Sequence, residues 1–128
     1  MFDRIETLRM ASSMTAHATE RQKLIAQNVA NADTPGFRAR DLARFSETYR
    51  SGVAVEMRAT RPSHVTGVSW GGAGRPKDLA SEPAPNGNTV SLEDEMIRIA
   101  QAKREFDLSL AVTRSSLSMI RTSLGRRA

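Results

Sequence analysis

The sequence predicts a mainly α-helical chain. Two long terminal amphipathic helices pack antiparallel, in coiled-coil fashion, beside a small irregular middle with at most one or two short strands. Three observations predict this. Apolar or small residues recur through residues 92–124 as Leu92, Met96, Ile99, Phe106, Leu110, Thr113, Leu117, Ile120 and Leu124. Their steps of 4, 3, 7, 4, 3, 4, 3 and 4 are a heptad rhythm. A second periodic segment near the N-terminus carries Ile5, Leu8, Ala11, Ala18, Ile25, Val29 and Ala32. Between the two, glycine and proline collect and the periodicity is lost.

No proline or glycine interrupts residues 92–124. At 1.5 Å per residue this stretch makes a rod of roughly 50 Å, against about 30–35 Å for a compact domain of this length. Such a helix overhangs its own globule and needs a second long helix, other subunits, or both. Composition agrees. The 128 residues are 39% hydrophobic but only 5% aromatic, so the centre supports a thin core. The net charge of +5 comes from arginines spread along the chain, not from a basic run of the kind that marks a nucleic-acid surface. Cysteine is absent, which excludes disulfides, thiol catalysis and thiolate metal sites. No apolar run approaches a membrane-spanning length, and the start of the chain has no apolar core of a conventional secretory signal.

Taken in order, the chain divides into residues 1–36, an N-terminal helix and its turn; 37–66, a short irregular or strand segment; 67–90, a Gly/Pro-rich loop; and 91–128, the C-terminal helix. In the first helix Asp3 and Glu6 have capping-box spacing, and alanines at 11, 16, 18, 26 and 30 permit close helix approach. Asn28, Asn31 and Asp33 then offer short polar side chains to the backbone. Thr34 is pushed to extended geometry by Pro35, and Pro35-Gly36 is the signature of a type II turn. Residues 42–49 form a short helix anchored by Leu42, Phe45 and Tyr49. Residues 53–60 alternate and predict one half-buried strand. Residues 67–88 read as loop, with Trp70 isolated among glycines. Asn86-Gly87 signals a turn. Ser91 and Asp94 make a capping box for the long helix, with Glu93, Asp94 and Glu95 in its first turn and Arg121, Arg126 and Arg127 near or beyond its end, as the helix dipole favours.

The residue types for chemistry do not converge. The histidines are His17, in mid-helix, and His64, in a turn, and neither has a metal-ligand or catalytic partner at a recognised spacing. The serines at 115, 116, 118 and 123 are interspersed through the heptad helix, where they adjust packing or face solvent. The weight therefore falls on assembly. Leu8, Ile25 and Val29 are expected to face Ile99, Phe106, Leu110 and Leu117 or their equivalents on neighbouring copies, with Met96 and Ile120 as further packing residues of the same stripe. Lys103 breaks that stripe at its centre. The chain is expected to be partly unfolded until it is incorporated.

Two stretches carry a resemblance. Asn28-Val29-Ala30-Asn31-Ala32-Asp33-Thr34-Pro35-Gly36-Phe37, following Arg21-Gln22, resembles the N-terminal signature of the bacterial flagellar axial proteins, the family of rod, hook and hook-associated subunits. Asn86-Gly87-Asn88-Thr89-Val90-Ser91-Leu92-Glu93-Asp94-Glu95-Met96 is similar to the run that leads into the last helix of proximal rod members, as Arg61-Pro62-Ser63-His64-Val65 is to a mid-chain element of theirs. Asp33 stands where the family commonly has asparagine, and Phe37 where it has tyrosine. The resemblance implies a structural subunit of the proximal rod, spanning the periplasm and exported by the type III apparatus without a cleaved signal. It implies terminal helices that polymerise into a tubular wall, and a bend at Ala30–Gly36. Its implied partners are other rod proteins, copies of itself, the export gate and the base of the membrane ring. It implies no enzyme, cofactor, small-molecule substrate or nucleic acid. An adaptor or chaperone of a secretion apparatus, and a small coiled-coil nucleic-acid binder, are the alternatives.

Overall fold

A computed structural model describes residues 2–53 and 74–125. The chain runs α1 (Phe2–Ala30), β1 (Arg40–Asp41), α2 (Phe45–Val53), β2 (Lys77–Asp78) and α3 (Leu92–Ser123). The two long helices pack on each other and the small middle lies beside them, so the mainly α expectation holds. The pairs Thr15–Ser109 and Arg21–Glu105 run in opposite senses along α1 and α3, which makes them an antiparallel hairpin.

The seam of the hairpin is built from small side chains. On α1 the buried apolar residues are Ala11, Ala18 and Ile25, seven apart. On α3 the buried residues are Glu95, Ala102, Ser109 and Ser116, also seven apart. Seven-residue spacing keeps one line of each helix facing the other. Small residues at most levels let the two backbones come close, and the hydroxyls of Thr15 and Ser109 bond across the seam at 2.8 Å. Ser109 also donates to Phe106 O and Thr113 to Ser109 O, which satisfies hydroxyls that would otherwise be buried without partners. Such a seam tolerates little added volume. Ala18→Leu is expected to cost about 1–3 kcal/mol, read as a lower urea midpoint with an unchanged slope; an unchanged midpoint would mean that the helices are not in close contact there.

The start of α3 matches its expected cap: Ser91 is the N-cap, and its Oγ accepts from Asp94 N at 3.4 Å. The last helical turn ends at Leu124, whose N–H bonds back to Ile120 O at 3.0 Å. The middle departs from expectation in position. The short helix is displaced to Phe45–Val53, because residues 41–43 are held by other contacts: Asp41 Oδ1 accepts Leu42 N at 2.8 Å, and Ala43 O meets His17 Nε2 at 2.9 Å. Val53, expected to begin a strand, closes this helix, and residues 54–60 lie outside the described residues, as do His64, Trp70, Arg126 and Arg127. The loop before α3 contributes a strand after all. Arg40 pairs with Asp78 and Asp41 with Lys77, antiparallel. Leu79 N extends the ladder to Ala39 O at 2.9 Å.

Candidate functional site

The end of α1 frees carbonyls that the helix no longer satisfies. Asn31 begins the stop: its Nδ2 donates to Gln27 O at 2.8 Å, and Thr34 N donates to Asn31 O at 3.0 Å. The chain then reverses at Thr34–Phe37. Phe37 N donates to Thr34 O at 3.3 Å, and Gly36 takes φ +71. That is the positive φ a type II turn needs at its third residue, where a Cβ would be strained.

A second turn, 50 residues later in sequence, closes on the first. Gly87 has φ +78, and a Cβ there would lie 3.5 Å from the Gly36 Cα, so the two glycines stack backbone on backbone. Gly36 N donates to Asn86 O at 3.0 Å. Asn88, only 3% exposed, is the centre of the join. Its Nδ2 reaches Asn31 O at 3.0 Å, Ala32 O at 2.6 Å and Thr34 O at 2.9 Å, while its Oδ1 accepts Val90 N at 2.8 Å. One side chain thus caps the carbonyls at the end of α1 and fixes the backbone that leads to α3. Thr89 continues the join: its N–H donates to Phe37 O at 3.0 Å, and its Oγ1 accepts Ala39 N at 2.9 Å. The two stretches that stood out in the sequence are therefore one structural clasp.

Below the clasp, the strand arm is tied to both helices. Asn28 is buried and bonds Arg40 twice: Nδ2 to its carbonyl at 2.8 Å, and Oδ1 from its N–H at 3.1 Å. Arg21 on α1 grips Asp41 through Nε at 2.9 Å and Nη2 at 3.0 Å, and reaches Glu105 on α3 at 3.3 Å. Arg98 on α3 bonds the fully buried Glu95 at 2.6 Å and lies 3.9 Å from Asp41. The hydrogen bond to Asp41, foremost, raises the pKa of Arg21 above its ordinary value, against the opposing effect of burial. His17, 1% exposed, stands edge-on to Phe45 at 5.7 Å, and Phe45 contacts Tyr49 at 5.4 Å. Each of these contacts positions chain, and Asn28, Asn31 and Arg40 also line an open cleft beside Gly36 and Phe37. Among the described residues, no group of three His, Cys, Asp or Glu side chains is placed to hold a metal ion, and no helix is long and apolar enough to cross a membrane.

Of the turn residues, Asn31, Thr34 and Gly36 are joined to the Asn86–Asn88 turn, Asn28 bonds Arg40 below it, Asp33 and Pro35 are exposed, and Ser91 caps α3 just beyond. Of the packing residues, Ile25 is fully buried and Leu8 half-buried, while Val29 is exposed. On α3, Phe106, Leu110 and Ile120 are half-buried, whereas Met96 (71%), Ile99 and Leu117 are exposed. The row buried against α1 is the neighbouring one, through Ala102 and Ser109. Sequence reasoning missed Asn88, Arg21, Asp41 and Glu95 as structural centres. Asn88 had a signal, since it follows an Asn-Gly turn and precedes the helix cap. The ion cluster had none, because its members are scattered from residue 21 to residue 105.

A family model described as flagella basal body rod protein matches residues 8–38, which is α1 from Leu8 together with the first turn of the clasp. Relatives match both halves of the clasp. A flagellar basal body rod protein FlgB from Agrobacterium fabrum is 30% identical over 127 residues, covering 95% of each chain. The chain belongs to the FlgB family of flagellar basal body rod proteins. Its similarity to the Salmonella typhimurium FlgB is 29% identity over 127 residues, covering 91% of this chain and 92% of that one. The Escherichia coli FlgB is 29% identical over 121 residues, 87% of this chain and 88% of its own. Membership makes the chain a component of the flagellar basal body rod, and the family names point to a structural role rather than an enzymatic one.

Proposed function

We propose that this FlgB-family chain is a polymerising subunit of the proximal rod, exported by the flagellar type III apparatus without a cleaved signal and assembled across the periplasm. Its partners are further rod proteins, copies of itself, and the export-gate and membrane-ring components at the rod base. The observation that carries this reading is the stripe on α3. The hairpin closes on small residues and leaves Leu92, Met96, Ile99, Leu117 and Leu124 exposed along the helix. A free subunit has no use for such a line of apolar surface, whereas a wall of packed helices would bury it. The clasp would then hold α1 and α3 at one fixed relation, so that every copy offers the same stripe.

Phe106→Asp is expected to leave export intact and to abolish incorporation. Leu117→Asp, at an exposed position that cannot harm the hairpin core, is expected to do the same. Secreted subunit and rod-associated subunit, quantified by immunoblot of culture medium and purified basal bodies, separate the two steps. Normal rods from both variants would overturn the packing reading. Retention of the wild-type chain in the cytoplasm as a stable small oligomer would overturn export and favour an adaptor.

A further inference from the structure

The second turn of the clasp carries a chemistry of its own. Of the chain's asparagines only Asn86 precedes a glycine; Asn28, Asn31 and Asn88 precede Val29, Ala32 and Thr89. The main-chain nitrogen that follows an asparagine is placed to attack that residue's side-chain amide carbon. Glycine obstructs the attack least, because it has no Cβ and its backbone turns freely. Asn86 and Gly87 are both exposed, so water reaches the pair.

We propose that Asn86 is a site of spontaneous deamidation and that the closed clasp guards it. In the reaction the Gly87 nitrogen gives up its proton and bonds to Asn86 Cγ. The bond from Cγ to the side-chain nitrogen breaks, and that nitrogen leaves with the proton as ammonia. The cyclic imide then takes up one water. Opening at one carbonyl gives aspartate; opening at the other gives isoaspartate, whose main chain is one methylene longer. No oxidant or reductant is required. The folded turn opposes the first step. Gly87 N donates to Ala84 O at 2.7 Å, and Asn86 O accepts from Gly36 N at 3.0 Å, so both ends of the peptide that must rotate are tied down. Asn86 Oδ1 accepts from Asn88 N at 3.0 Å, which fixes the amide under attack. Ala84 N donates to Asn88 O at 2.8 Å and closes the turn, with Gly87 at φ +78 as a left-handed bulge residue. The reaction therefore runs in chains whose clasp has opened. Isoaspartate then keeps it open: the added methylene moves Gly87 off Gly36 and draws Asn88 from the carbonyls that end α1. Aspartate leaves the main chain unchanged and retains an oxygen to accept Asn88 N. A chain left open is thus marked at the point that closes it.

The purified full chain, held in mildly alkaline buffer, tests this by peptide mass spectrometry, which reads the exchange of NH2 for OH at each asparagine and separates the two products. Asn86 is expected to react at least about tenfold faster in urea-unfolded chain, and in the Asn88→Leu chain without urea, than in the folded wild type. Equal rates in folded and unfolded wild type would overturn the guard. Faster reaction at Asn28, Asn31 or Asn88 than at Asn86 in the unfolded chain would overturn the site. Isoaspartyl chain, separated from the rest and refolded, is expected to unfold at lower urea than the Asn86→Asp chain; equal midpoints would overturn the claim that the product disables the clasp. None of these outcomes bears on rod incorporation, so the rod reading stands or falls separately.

Discussion

Asn88→Leu is expected to lower the unfolding free energy by about 3 kcal/mol, a sizeable part of the roughly 5–15 kcal/mol typical of a domain. Leucine fills much of the same space but donates nothing. Asn31 O, Ala32 O and Thr34 O lose their shared donor, and Val90 N loses its acceptor. Water reaches some of these groups, because Thr34 is exposed and Asn31 and Ala32 are half-buried, and this holds the cost below the sum of four lost bonds. Asn88→Asp is a sharper variant of nearly identical shape. It puts carboxylate oxygens where an amide faced three carbonyls, so it should cost at least as much. Asn86→Ala, by contrast, removes a bond from the exposed side of the turn and should cost about 1 kcal/mol. Urea unfolding followed by far-ultraviolet circular dichroism measures all three. An Asn88→Leu chain within 1 kcal/mol of wild type would mean that the clasp does not close the hairpin.

The second large effect is at Arg21. Arg21→Met is expected to cost about 3–5 kcal/mol, because it strands carboxylates that were placed to receive a guanidinium. Asp41 has a side chain only 9% exposed and loses both short bonds from Arg21; its remaining cation, Arg98, stands 3.9 Å away. Glu105 loses its partner as well. Replacing Arg21 and Asp41 together, by Met and Leu, should recover most of the loss, since the penalty lies in the uncompensated charge rather than in the pair itself. A double-mutant cycle with additive single effects would show that the pair is not coupled. The pH dependence has a definite sign. The stability that comes with the raised arginine pKa is fully present below the ordinary arginine value and is lost only as pH rises beyond it. Titrating Arg21 itself therefore contributes no change in stability across the ordinary working range.

The sequence disclosed what is periodic and local. The heptad rhythm located α3 to within a residue, the Ser91 cap located its start, and Pro35-Gly36 specified the turn that Gly36 makes with φ +71. What stayed hidden depends on which of two adjacent rows meets α1. Large apolar residues mark a stripe, yet the closed hairpin selects the small-residue row through Ala102 and Ser109 because small side chains let helices approach. A pattern of hydrophobicity does not distinguish a seam within the subunit from a surface offered beyond it. The strand pair Arg40–Asp41 with Lys77–Asp78 was equally hidden. Two residues carry no periodicity, and the pairing is imposed by tertiary contacts of Asn28 and Arg21 with the arm. For the same reason the clasp was visible only as two separate turns. Nothing local says that Asn88 serves the end of a helix that finished more than 50 residues earlier.

The clasp also gives the two signature stretches one structural role. Neither turn completes its hydrogen bonds alone: the first lacks a donor for its carbonyls, and the second lacks the backbone on which Gly87 rests. The hairpin is therefore set only when both ends of the chain are present, which couples the geometry of α1 to that of α3.

The most direct test of the rod-subunit account is a reconstruction of basal bodies purified from cells in which this chain replaces the resident FlgB. The account predicts density for the α1–α3 hairpin in the proximal rod, with Met96, Ile99 and Leu117 buried against helices of adjacent subunits. Rods that form without this chain, or that hold it with the stripe facing solvent, would contradict it.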